Sequence, residues 1–402
     1  MSGREQKLRA ALGEAAVPGA VAAEQRALAL VRVAAAERGR DGASRPARSP
    51  SPRRALQVAL AVGLLAIVIS PAGAAVRDWV GDAVEEESPP ALPALTALPT
   101  EGSLLVDSAR GPWIVREDGS KRLLGSYPGA RATWSPHGLF VAVADLHSLA
   151  AIDPLGAVRW TLSRDGPVRG AAWSPDGNRI AYLDGADLRL VVGDGSADRL
   201  LAAGVAPVTP AWDPSGARVL AFVDAGGRVE VLRADSGRRV FHLPGGPPPE
   251  ALAWSRHGSV LLVVRPGGLE AYDREGRLAW QRPAPPATLV RDVAPAPDGR
   301  AAAVVLRGRT GAVASLRMLG PNGGGRTLFE GPGNLGQVEY SPDGSWLLLS
   351  WPSADQWLYL DLARSGRTVA IADIAAQFDP GSSSGAPFPR LAGWCCSAGT
   401  SG

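Results

Sequence analysis

A five-residue phrase that returns at a nearly fixed step constrains this chain more than any other feature. It reads Trp134-Ser-Pro-His-Gly138, Trp173-Ser-Pro-Asp-Gly177, Trp212-Asp-Pro-Ser-Gly216, Trp254-Ser-Arg-His-Gly258, Pro295-Ala-Pro-Asp-Gly299 and Tyr340-Ser-Pro-Asp-Gly344, at steps of 39, 39, 42, 41 and 45 residues. A repeat of about 40 to 45 residues is the length of one four-stranded propeller blade. Each phrase follows a short strand and precedes an apolar run such as residues 179–183. The Ser-Pro-Asp-Gly segment is therefore expected to be the turn of a hairpin, and the aromatic before it to pack between blades.

These residues carry a resemblance. An aromatic followed by Ser-Pro-Asp-Gly and an apolar strand resembles the TolB-type propeller repeat, a relative of the WD repeats. It extends over most of the chain, although the fifth copy lacks its aromatic and the fourth has Arg256 in place of proline. The resemblance implies an envelope protein that binds other envelope proteins or peptides, and does not imply an enzyme.

The blade count depends on the chain ends. Aligned under the second blade, residues 101–124 supply three strands and no first strand, whereas residues 390–394 match an innermost strand with no blade after it. Joined, they predict an all-β, seven-bladed propeller closed across the termini, which removes the open sheet edges that invite aggregation. The alternative is six blades and a loose C-terminal segment.

Ahead of the propeller, charge is uneven. Residues 1–54 hold eleven Lys/Arg and five Asp/Glu, whereas residues 77–101 hold one Arg and six acids. Between them, residues 55–76 (ALQVALAVGLLAIVISPAGAAV) carry no charge, about the length a helix needs to cross a ~30 Å hydrocarbon layer. The basic side precedes the segment, so the N-terminus is expected in the cytoplasm and the propeller outside. Ala72-Gly73-Ala74 also fits a cleavage site, but signal peptides have short leading regions and this one is 54 residues long. A buried core helix would normally show a polar face. The expected organisation is a cytoplasmic tail and basic linker over 1–54, a transmembrane helix over 55–76, an acidic and Pro-rich linker over 77–101, and the propeller over 102–402. Within the tail, residues 4–12 and 21–38 are rich in helix formers, and either form two short helices that dock on a cytoplasmic partner or stay a weakly helical, solvated tail. Residues 39–53 can lie against anionic lipid heads.

With 46% hydrophobic and 20% charged residues, the chain can bury a core. The pI near 9.1 reflects a general excess of arginine alongside Ala, Gly and Pro, and residues beyond 101 form no basic stripe, so nucleic acid is not an expected partner. The membrane and an extracytoplasmic protein or peptide are.

No catalytic constellation stands out. Gly381-Ser-Ser-Ser-Gly385 fits a nucleophile motif formally but lacks the strand and helix that motif requires. Neither lysine follows a glycine as a phosphate loop demands. The four histidines are scattered, so neither metal nor cofactor is expected. Cys395 and Cys396 are the only cysteines, and form either a vicinal disulfide or two thiols; outside the membrane, thiols tend to oxidise. The second strand of each blade ends, in turn, at Asp107, Asp145, Asp184, Asp224, Arg265, Arg307 and Trp351. On the same face, Arg131, Arg169, Glu250, Arg291, Asp292 and Arg390 lie where the innermost strands enter the axis. They are the candidate binding residues. Either they pair with one another as ordinary surface charges, or the arginines form a mouth for an anionic or peptide ligand. The function expected is a membrane-anchored binding or sensory module; a hydrolase or lyase using face carboxylates, or a structural envelope protein, are the alternatives.

Overall fold

A computed structural model describes residues 97–396, apart from 217, 322–324, 364–366 and 380–386. Among the described residues, seven antiparallel sheets of four strands each follow one another along the chain. Blades 2 to 7 begin at the innermost strands Arg131–Trp134, Val168–Trp173, Ala211–Trp212, Ala251–Trp254, Thr288–Pro295 and Val338–Tyr340. In blade 1 the innermost strand is the last described one, Arg390–Cys395, paired antiparallel with Ser103–Asp107 so that Leu104 faces Trp394 and Asp107 faces Arg390. The seven-bladed reading and its closure across the termini both hold; six blades with a loose tail does not.

Burial within each blade follows from stacking. A second strand is covered on both faces by neighbouring blades, so it reads as a continuous apolar run: Val219–Val223 (VLAFV) and Leu261–Arg265 (LLVVR) are buried at every position. The outermost strands, such as Val158–Ser163, show only alternate half-burial. Alternation along a strand then divides its side chains between two interfaces. Val141 and Val143 pack toward blade 1, Ala142 and Ala144 toward blade 3. Seven apolar clusters result, one at each blade junction, including the closing one where Leu104, Val106, Leu391 and Trp394 meet Leu348, Trp357 and Tyr359.

The repeated phrase performs two tasks. Its aromatic fills a junction: Trp173 lies among Ala142, Ala144 and Leu149 of the preceding blade, and the Trp212 indole donates to the Ala172 carbonyl at 2.9 Å. Its remaining residues make the turn. In blade 3 the Gly177 amide donates to the Ser174 carbonyl at 2.9 Å, Ser174 Oγ donates to Asp176 at 2.6 Å and accepts from the Arg179 amide at 2.9 Å. The final glycine has φ of +69°, a left-handed conformation that a Cβ disfavours.

A short helix, Ile374–Phe378, precedes the closing strand. Its buried Ile374 and Phe378 enter the closing junction, where the Phe378 ring lies 5.3 Å from that of Trp357. Sequence reading missed it, since five residues hold too few positions for a helical period to show. The tail expected in the cytoplasm (1–54), the apolar segment 55–76, the linker up to residue 96 and the Gly381–Gly385 motif all lie outside the described residues; among the described residues, no helix is long and apolar enough to cross a membrane.

Candidate functional site

Seven innermost strands enclose a channel, and its two ends differ. At the entry end, the six candidate residues divide. Arg390 and Arg131 converge, but on Asp107 and not on an open mouth: Arg390 Nη1 lies 3.2 Å and Arg131 Nη1 3.9 Å from Asp107 Oδ2. The other Asp107 oxygen accepts the Ala132 amide of the next blade at 3.1 Å. Burial pushes the Asp107 carboxyl up to about 6, even though Arg390, Arg131 and that amide favour its ionised form. Asp292 plays the same part five blades on, accepting the Val338 amide of blade 7 at 2.8 Å. It too is raised by burial to about 6, against the Val338 and Val293 amides and Arg390. Arg169, Glu250 and Arg291 stay exposed, with no side-chain bond or ion pair among the described residues. Internal neutralisation thus accounts for Arg131 and Arg390, by an acid of the second-strand series and not by Glu250.

At the other end, the channel opens into a well of about 580 Å³. Five blades wall it, contributing Trp134, Trp254, Tyr340 and Trp394, prolines 136, 295, 297 and 342, and the Cys395–Cys396 pair. The two sulfurs are joined as a disulfide between sequence neighbours, and Cys396 has φ of +58°. Cys396 Sγ rests 3.4 Å from the Pro136 carbonyl of blade 2. Two charged side chains border the well, Glu339 and Arg256. Neither has a hydrogen bond or ion pair from its side chain among the described residues. Burial, and then the neighbouring Asp292 carboxylate, push the Glu339 carboxyl up to about 8, against the pull of Arg390.

Sequence reading passed over Glu339, yet the repeats contain its signal. The residue before the aromatic position is Thr133, Ala172, Ala211, Ala253, Ala294 and Gly393 in the other blades. All are small, and only blade 7 puts a carboxyl there. Arg256 is the second such break, standing where five copies have proline. Among the described residues no group of three His, Cys, Asp or Glu is placed to hold a metal ion.

No protein-family profile and no curated protein matches the chain. Solved structures do. The chain is similar to KlHsv2 with its loop 6CD replaced by a Gly-Ser linker, at 14% identity and a TM-score of 0.52 over 66% of this chain and 90% of that one. Hsv2 of Kluyveromyces marxianus matches at 12% identity and a TM-score of 0.50 over 67% and 92%. The C-terminal WD40 domain of Sif2 matches at 14% identity and a TM-score of 0.49 over 66% and 79%. The fold is shared. At such identities nothing finer is.

Proposed function

We propose that this protein is a membrane-anchored binding module whose propeller receives an extracytoplasmic protein or peptide, with the helical tail docking or reporting in the cytoplasm. The observation that carries the binding reading is the well: about 580 Å³, aromatic- and proline-walled, with an unpaired carboxyl and an unpaired guanidinium at its border. Interfaces draw their affinity from aromatic surroundings of this kind, with a few placed polar groups supplying specificity. Anchoring rests on the uncharged segment 55–76 and its flanking charges, and the envelope setting on the TolB-type repeat. A hydrolase or lyase working through paired carboxylates would draw on Glu339 and Asp292, but only Glu339 lines the well.

The test places a photo-crosslinking residue in the full-length protein, in its native membrane, at Pro136 or Pro342 on the well rim and at Val158, which is exposed on an outer strand. Crosslinks to one defined partner from the rim positions, absent from position 158, are expected. Crosslinking from position 158 alone would move the interface to the propeller's flank and overturn this assignment.

A further inference from the structure

Glu339 breaks the repeat at a position that is small in every other blade, and the break faces a cavity and not a partner side chain. An isolated carboxylate in such a place is costly, because the half-buried side chain gives up part of its water without gaining hydrogen bonds in return. A structural acid in this fold looks different. Asp107 and Asp292 also stand at the channel, and each accepts the amide of a following blade's innermost strand. Glu339 ties nothing together, and its position lies among side chains of Trp134, Trp254, Trp394 and Tyr340. Aromatic walls are compatible with organic cations, whose charge is attracted to the ring faces.

We propose that the well is a binding site for a monovalent organic cation, an ammonium or guanidinium on a slender aliphatic stem, with the Glu339 carboxylate as its counter-ion. A free alkylamine and the Lys or Arg side chain of a partner peptide share this chemistry. The inference rests on the binding-module reading and specifies what the well accepts.

Occupancy exchanges one charge for another. With the carboxyl raised to about 8, the empty site holds a proton at neutral pH, and an arriving cation displaces it. Three charged groups face or approach the exchange. Asp292 opposes Glu339 ionisation and Arg390 favours it, whereas Arg256 stands at the border and repels a cation. Asp107 and Asp292 titrate near 6, so above pH 7 both are largely ionised and the remaining pH dependence is dominated by Glu339.

The experiment is calorimetric titration of the purified full-length protein in detergent with n-butylamine, with n-butanol as the neutral isostere and a hexapeptide bearing one central lysine as the second source. Comparing two buffers of different ionisation enthalpy counts the protons released. Expected are binding of butylamine and not butanol, release of close to one proton at pH 7, and an affinity that rises about eightfold from pH 6.5 to 7.5 and levels off above 8.5. Glu339→Gln should cost at least about tenfold in affinity and abolish both proton release and pH dependence, and Arg256→Ala should tighten binding. Tighter binding of the peptide than of butylamine assigns the site to a partner's side chain; equal or weaker binding assigns it to a free amine. Equal binding of butanol, or pH-independent binding without proton release in the unmodified protein, would overturn the proposal, and that result needs no variant to fold. A protein that still crosslinks its partner at Pro136 or Pro342 but is indifferent to butylamine keeps the binding module and loses the cation site.

Discussion

The carboxyl of Glu339 sets a pH dependence whose sign follows from its environment. Its folded-state value, about 8, lies above the ordinary glutamate value of 4.5. The folded protein therefore holds this proton more tightly than the unfolded chain. The associated stability is fully present below pH 4.5 and is lost as pH rises toward and through 8. Asp107 and Asp292, raised to about 6 from 3.8, contribute in the same direction over a lower window. Thermal melts of the ligand-free protein should thus show Tm falling between pH 6.5 and 8.5. Glu339→Gln should flatten that fall, and an unchanged slope in the variant would contradict the assignment. A second residue-scale effect concerns the repeated indoles. Trp212 both fills a junction and donates to the Ala172 carbonyl. Trp212→Phe should lose about 1 kcal/mol for the hydrogen bond and a little packing, and Trp212→Ala about 3 to 5 kcal/mol, read from denaturant midpoints.

Among elements, the closing strand is the one whose removal changes the topology. A stop codon after residue 386 deletes Arg390–Cys395, and with it the partner of Ser103–Asp107. The truncated chain should lose cooperative unfolding and elute as oligomers in size-exclusion chromatography, because the bared edge of blade 1 is a template for strand addition. The disulfide in the same strand should matter far less to stability. It joins residues one apart in sequence, so it closes almost no loop and removes little entropy from the unfolded chain. Cys395→Ser with Cys396→Ser should change stability by about 1 kcal/mol or less, measured by chemical denaturation. How much was legible in the sequence follows element boundaries. The turn phrase and the double-faced second strands announce blades 2 to 7, including blade 6, where Pro295 replaces the aromatic but the Ala302–Gly308 strand still reads as a buried run; blade 1 lacks the phrase and shows only when residues 101–124 and 390–394 are joined. Helix Ile374–Phe378 could not be read, since its two buried side chains gain meaning only from the junction they enter. Of the site, the entry face was legible as a set of positions but not as a set of pairings. That Arg131 and Arg390 meet Asp107 depends on closure bringing residues 107 and 390 side by side. Glu339 was visible only by comparing copies at the position before the aromatic.

On the scale of the whole molecule, the propeller and the segment that precedes it make separate claims. Fold and closure rest on the sheets and the seven junctions; orientation rests on charge flanking residues 55–76. In intact cells bearing the full-length protein, a C-terminal epitope tag should be reached by membrane-impermeant reagents once any outer barrier is opened, and an N-terminal tag should not. Accessibility of the N-terminal tag alone would reverse the orientation.

Closure by the last strand also dictates when the protein can finish folding. Leu104 pairs with Trp394, so the first blade waits for nearly the whole chain to be synthesised, and for an exported domain, translocated. Contacts between such distant residues carry a high loop-closure cost and slow the step that forms them. Blades 2 to 7 can stack as they emerge, but the ring stays an open arc until its final residues arrive. Completion thereby depends on residues 390–395: a product terminated before them lacks the strand that pairs with Ser103–Asp107 and never acquires its seventh junction.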